Sequence, residues 1–351
     1  MDSIRTGLSY GDVLLVPHRS PVDSRREVDL STSLTSGIEL DTPLLSAPMD
    51  TVTESDTAIA LSRMGGFGTI HRFLSVEEQA AELEAVVEAG ERAGAAIGIS
   101  EDYLARAERA LEAGSAALVV DVAHGHLEKA LSAVDRLAGE FPDVEIVAGN
   151  VATPQAVRDL YEAGADGVKV GIGPGSHCTT RKVAGAGVPQ VTAIADTSEV
   201  AHDLGITIIA DGGIRSSGDA VKALMAGADT VMMGRLFAGT EESPGEIIVR
   251  DGDRYKRSRG MATTAANDDR TDKSGDGPAA DEGVEALTPY AGPLSEVAGE
   301  FLAGIQSGLS YVGAGDIETA RTEAEFMRAA PSAQALEGAH FDHDWESPSA
   351  D

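Results

Sequence analysis

Eight short apolar runs punctuate the chain, separated by segments in which apolar residues recur with a helical period. The runs are Leu44–Ala47, Phe67–His71, Ala95–Ile99, Ala117–Ala123, Glu145–Asn150, Gly167–Ile172, Thr207–Asp211 and Thr230–Leu236. They are too uniformly apolar to keep one face in water, which predicts parallel strands covered by helices. Val76–Ala89, Tyr103–Ala113, Leu127–Glu140 and Ser217–Ala226 carry the period of the covering helices. Eight strand–helix units favour a closed (β/α)8 TIM barrel over an open doubly wound sheet. "EAGADGVKVG" and "MAGADTVMMG" repeat a helix end, a Gly-Ala-Asp turn and a strand. That similarity is expected between units of one barrel, so residues 1–351 read as a single domain.

One stretch breaks the rhythm. "NDDRTDKSGDGPAADEG", 267–283, is polar and has no apolar period. It reads either as a surface insertion or as a lid over the active site. The tail from Ser332 to Asp351 is also irregular.

Composition narrows the setting more than the chemistry. The chain has 27 basic against 58 acidic residues, a net charge of −31, and only six lysines. The acids are spread along the whole chain, as on a solvated surface adapted to high salt. Such a surface repels nucleic acid and anionic membranes. A single cysteine excludes an intramolecular disulfide. No run approaches the ~20 apolar residues of a membrane-spanning helix. The N-terminus lacks a basic segment followed by an apolar one. The expectation is a soluble, cytoplasmic protein.

In a barrel the site forms where the strands end. Ser46, Met49 and Asp50 follow the first run, Asp121, His124 and His126 the fourth, and Asn150 the fifth. "GIGPGSHCTTRKVAGAG", 171–187, follows the sixth, Asp211–Ile214 the seventh, and Gly234 and Arg235 the eighth. The glycine loop offers bare amides to an anion, though its spacing fits neither a Rossmann nor a Walker pattern. With the ends of strands seven and eight it suggests a phosphorylated small molecule. Cys178 has two readings: a small buried apolar residue, or a nucleophile whose thiolate the loop amides stabilise. His71, His124, His126 and Cys178 lack the ligand spacing of a zinc site.

The glycine loop, continued as "GIGPGSHCTTRKVAGAGVPQVTAI", closely resembles the catalytic loop of the IMP dehydrogenase/GMP reductase family. "SYGDVLLVP", "LSAPMDTVTES", "DVAHGH", "AGNVAT", "IADGGIRSSGDAVKALMAGADTVMMG", "YKRSRGM" and "YAGPLSEV" extend the resemblance, in family order, from about residue 8 to 340. It implies a (β/α)8 barrel, usually tetrameric, that acts on IMP, XMP or GMP with NAD or NADP. Cys178 would bond to purine C2, and Thr180 and Glu282 would move protons. Ser176, Asp211, Gly213 and Gly234 would hold ribose and phosphate, and Met49, Gly260 and Met261 the base or nucleotide. Asp121 and Asn150 would lie at the nicotinamide ribose and cofactor. Gly173, Gly175 and Cys178 would give carbonyls to a monovalent cation, K+. Glu337, Gly338 and Ala339 of a neighbouring subunit would complete that shell.

The chain departs from the family pattern in places. The second run passes directly to the third, without the regulatory CBS modules that the dehydrogenases insert there. Arg235 replaces a usual Ser, Ser258 a usual Tyr, and His177 a usual Ile or Val. "DTVTES", "DVAHGH", "RGM", "EGVEALTPY" and "SGLSYVGA" look like the dehydrogenase. "SRREVDL", "EESPGEIIVRDG" and the missing insertion look like the reductase. The flap, about 262–285, is short for a dehydrogenase and has Arg270 followed by Thr271 where the dehydrogenase has an Arg-Tyr pair. The first expectation is IMP dehydrogenase, with Arg270 helping to activate water. GMP reductase is the alternative, and a nucleotide-binding sensor on an inactive barrel is the more distant one.

Overall fold

The computed structural model describes residues 4–261, 263 and 282–330. Eight parallel strands close into a barrel. They are β1 (Leu44–Ser46), β2 (Phe67–Ile70), β3 (Ala93–Ile97), β4 (Ala117–Asp121), β5 (Ile146–Val151), β6 (Gly167–Val170), β7 (Thr207–Asp211) and β8 (Thr230–Met233). Each pairs with the next in chain order, and β8 closes on β1 through Val231↔Leu44 and Met233↔Ser46. The helices α1 (Ser55–Ser62), α2 (Val76–Glu88), α3 (Tyr103–Glu112), α4 (Glu128–Glu140), α5 (Pro154–Glu162), α6 (Gln190–Leu204), α7 (Ser217–Met225) and α8 (Leu294–Val312) cover it. The (β/α)8 expectation holds.

Local chemistry explains the joins. Ser75 caps α2, accepting from the Glu78 amide at 3.2 Å while the Glu78 carboxylate accepts from the Ser75 amide at 2.9 Å, a reciprocal capping box. The repeated Gly-Ala-Asp turn does the same work twice. Asp166 accepts from the Ile146 amide at 2.8 Å, and Asp229 from the Ile208 amide at 2.8 Å. In each unit the aspartate pins the turn to the start of the preceding strand.

Strand boundaries shift by up to three residues from the sequence reading, as at β3 and β8. β3 starts two residues earlier, because Ala93-Gly94-Ala95-Ala96 is strand built from small residues. β8 stops at Met233, and Arg235–Ala238 turn into a short helix after Gly234.

Two apolar layers form the core. One lies between strands and helices. The other fills the barrel with Leu45, Phe67, Val119, Val147, Ile209 and Met232, and Leu34, Ile38 and Leu40 from the hairpin Thr32–Thr35/Ile38–Leu40 join it. The hairpin is tied to the strand starts, with Thr207 Oγ1 donating to the Leu34 carbonyl at 2.5 Å. It covers the N-terminal mouth, so the C-terminal mouth is left for ligands. Beyond β8 an antiparallel sheet of β9 (Ile248–Arg250), β10 (Asp253–Arg259) and β11 (Glu285–Pro289) carries the ends of the proposed flap. No helix among the described residues is long and apolar enough to cross a membrane.

Candidate active site

The loop after β6 carries Cys178 and is held by an isolated bridge against the segment leaving the flap. Cys178 and Gly283 form an antiparallel bridge. The Thr179 amide donates to the Glu282 carbonyl at 2.9 Å, and the Val284 amide to the His177 carbonyl at 3.0 Å. This pairing fixes the side chains. Cys178 Sγ lies 3.1 Å from Thr180 Oγ1, and Thr180 Oγ1 donates to Glu282 Oε2 at 2.6 Å. Thr180 and Glu282 lie 102 residues apart in the chain. The result is a hydrogen-bonded line from a thiol through a hydroxyl to a carboxylate, the arrangement that moves a proton to or from a group bound at sulfur.

Two cavities meet at this line. The first, about 600 Å³, is lined by Met49, Ser176, Asp211, Gly213, Gly234, Gly260 and Met261, all seven residues expected at the nucleotide. The second, about 530 Å³, is lined by Asp121 and Asn150, the two residues expected at the cofactor, and by Gly173. Gly175, Cys178, Asp211, Met261 and Glu282 face both. Both volumes are those of small-molecule sites. Glycine is required at the turn after β7, where Gly212 and Gly213 have φ of +90° and +79°. Gly260 is required for proximity, since a Cβ there would come 2.8 Å from the His177 carbonyl oxygen.

Beneath both cavities lies a group that sequence reasoning missed. Lys169, in the apolar run "GVKV" of β6, is 1% exposed. Its Nζ donates to Asp121, to Asn150 Oδ1 at 2.8 Å and to Asp211 Oδ2 at 3.1 Å. Asn150 also donates to Asp211 Oδ2 at 2.8 Å. Burial pushes the lysine pKa down, but the Asp121 and Asp211 carboxylates overcome it and hold the group above its ordinary value. The signal was available: one charge inside an otherwise apolar strand has to be paired.

The three departures from the family pattern come together in space. His177 is buried, with Nδ1 3.1 Å from Ser176 Oγ and Nε2 3.0 Å from Ser258 Oγ; Ser258 Oγ lies 2.8 Å from Thr288 Oγ1. Burial, then the charge of Arg235, lowers the pKa of His177 and keeps it neutral. Three arginines line the first cavity. Arg181 donates to the Val188 carbonyl at 2.7 Å, and Arg215 Nε to Asp219 at 3.3 Å. Arg235 makes no hydrogen bond or ion pair among the described residues.

Other polar candidates from the sequence are structural. Thr53 Oγ1 donates to Ser46 Oγ at 2.9 Å. Asp50 accepts from Arg259 Nε at 2.8 Å, which ties the loop after β1 to β10. His126 pairs with Asp159 at 2.6 Å, and neither it nor His124 lines either of these two cavities. Among the described residues no group of three or more His, Cys, Asp or Glu could hold a metal ion. Arg270, Glu337, Gly338 and Ala339, most of the flap and the tail from Ser332 lie outside the described residues.

Known proteins resemble the chain along most of its length. The family model "IMP dehydrogenase / GMP reductase domain" matches residues 7–340. The inosine-5'-monophosphate dehydrogenase of Borreliella burgdorferi is 38% identical, over 93% of this chain and 95% of that protein. That of Nitrosopumilus maritimus is 35% identical over 92% and 96%. A crystal structure of GMP reductase from Trypanosoma brucei in complex with guanosine 5'-monophosphate superposes with a TM-score of 0.91 at 31% identity. It covers 97% of this chain and 98% of that one.

Proposed function

The chain belongs to the IMP dehydrogenase / GMP reductase family, and we propose that it oxidises IMP to XMP with NAD. The Cys178–Thr180–Glu282 line at the seam of two cavities supports covalent chemistry on a purine, and the IMP dehydrogenases 35–38% identical to the chain favour the oxidative direction. The purine nucleotide takes the first cavity, with ribose and phosphate at Ser176, Asp211, Gly213 and Gly234 and the base at Met49, Gly260 and Met261. Arg235, free of other partners among the described residues, supplies positive charge to the phosphate. The second cavity has the size, with Asp121 and Asn150 as polar groups in a mostly apolar lining, to hold the nicotinamide end of the cofactor.

Cys178 Sγ adds to purine C2 while the thiol proton passes to purine N3, from which it is released once the hydride has left. NAD, when bound, supplies the acceptor for the hydride that leaves C2. The purine then remains attached to Cys178 as a thioimidate. Water adds at C2, the Thr180–Glu282 pair accepts its proton and returns it to the Cys178 sulfur as the C–S bond breaks, and XMP leaves with the thiol restored. The balance is IMP, NAD and water to XMP, NADH and a proton. Arg270 is proposed to orient that water. Closing the flap over the site excludes bulk solvent.

GMP reductase is the second reading, favoured by the near-complete superposition on a GMP reductase and by the direct passage from β2 to α2. In it Cys178 adds to C2 of GMP, and Thr180 and Glu282 protonate the departing amine. Ammonia leaves, NADPH when bound would supply the hydride to C2, the C–S bond breaks with a proton returning to the Cys178 sulfur, and IMP is released. β2, α2 and β3 follow one another without an inserted module, which supports a chain not regulated through CBS modules between these strands in either reading. The carbonyls of Gly173, Gly175 and Cys178, on one loop, are proposed to hold K+. Among the described residues the Gly175 carbonyl accepts only the Cys178 amide, at 3.1 Å, which leaves a lone pair for an ion. Completing the shell from a second subunit calls for an oligomer, proposed as a homotetramer. The acidic surface fits a salt-rich cytoplasm. Reduced-cofactor absorbance in high KCl decides the reaction. Growth with IMP and NAD supports the dehydrogenase, and decay with GMP and NADPH supports the reductase. Tight binding of either nucleotide with turnover of neither would make the protein a sensor.

A further inference from the structure

Four adjacent strands, β4 to β7, place Asp121, Asn150, Lys169 and Asp211 in one polar layer above the barrel core. Asp121 faces only the second cavity, and Asp211 faces both. The two carboxylates lie 90 residues apart in sequence and share one buried ammonium. Among the described residues Lys169 is the only cation paired with either of them. We propose that Lys169 is a positioning residue that couples the two half-sites. Through it, the state of the Asp121 carboxylate on the cofactor side sets the orientation and acceptor strength of Asp211 on the nucleotide side. This rests on the proposed placement of the nucleotide in the first cavity.

The physical reason is charge sharing in a dry layer. A single ammonium between two carboxylates satisfies neither fully, so relieving one draws it toward the other. When Asp121 loses its charge, Lys169 is drawn onto Asp211. Asp211 is then pulled toward the core and becomes a poorer acceptor for ligand hydroxyls. A ligand that hydrogen-bonds Asp121 biases Lys169 in the same direction, so occupation of the cofactor side is felt on the nucleotide side, and linkage makes the effect reciprocal.

The test is a double-mutant cycle on the full chain, read as IMP and GMP dissociation constants by calorimetry without cofactor. Asp121→Asn should weaken nucleotide binding about fivefold or more, although Asp121 does not line the nucleotide cavity; coupling energies of this kind are typically worth 5–150-fold. In a Lys169→Met background the same substitution should change the constant less than about twofold. Equal effects in both backgrounds would make Lys169 a structural group and overturn the proposal. If Lys169→Met does not fold, Asp121→Asn alone decides: a constant within twofold of wild type overturns the coupling, and a fivefold loss at an unshifted Tm supports it. A wild-type chain that binds neither nucleotide defeats the proposed function itself, and the coupling with it. Binding with additive effects defeats the coupling alone.

Discussion

Replacing Thr180 with valine removes one hydroxyl and keeps the branched shape. Thr180 Oγ1 stands between Cys178 Sγ at 3.1 Å and Glu282 Oε2 at 2.6 Å, and the second distance is that of a hydrogen bond to a charged acceptor. Valine breaks the line at its middle and leaves Glu282 without its donor. Positioned general acid–base catalysis contributes about 10²–10⁴-fold, which is about 3–5 kcal/mol of barrier at ~1.4 kcal/mol per decade. The loss should fall on the step that activates water. Hydride transfer needs the adduct and a stacked acceptor but no proton at that moment. Rapid mixing with IMP and NAD should therefore show a burst of NADH close to one per site, followed by a steady state slower by that factor. Glu282→Gln, which keeps an acceptor but not a base, should behave in the same way with a smaller loss. A Thr180→Val steady state within threefold of wild type would refute the relay. Equal slowing of both phases would show that Thr180 merely shapes the loop.

Four further outcomes are expected. Cys178→Ser should cut turnover more than tenfold while calorimetry finds nucleotide affinity largely kept, because the hydroxyl is a poor nucleophile and the cavity contacts belong to other residues. Arg235→Ser should raise KM for the nucleotide by about ten- to a hundredfold, as for loss of a charge-assisted hydrogen bond, and leave the rate with the unphosphorylated nucleoside unchanged; a parallel change in both would place Arg235 outside the phosphate site. His177 has its pKa lowered in the fold, so the unfolded chain takes up its proton first and His177 makes stability fall as pH drops below about 6.5. Urea unfolding should show a shallower acid-side loss in His177→Val than in wild type, and identical slopes would contradict the buried neutral state. Arg270→Ala should slow the steady state but not the burst, and two unchanged phases would make Arg270 a surface residue.

The sequence by itself determined the barrel. Eight apolar runs at regular spacing can be satisfied only by strands buried on both faces, and the doubled Gly-Ala-Asp turn marked two units as equivalent. It also determined the side of the barrel on which the chemistry sits, since polar and glycine residues follow the runs rather than precede them. The residues that line the two cavities were marked by the family resemblance of local motifs, in which loop, strand end and glycine turn lie within a few residues of each other. The tertiary structure decided what depends on pairing over distance. Glu282 reaches Thr180 across 102 positions because the strand leaving the flap pairs with the cysteine loop, and its spacing in the chain carries no trace of that pairing. Ser46, Asp50 and His126 looked like site residues in the sequence and are spent on internal hydrogen bonds. Lys169 looked like an incidental charge in a strand. Only closing the barrel shows that its ammonium sits between carboxylates on two other strands, because the direction of a side chain into a shared core is a property of the closed sheet and not of any one run.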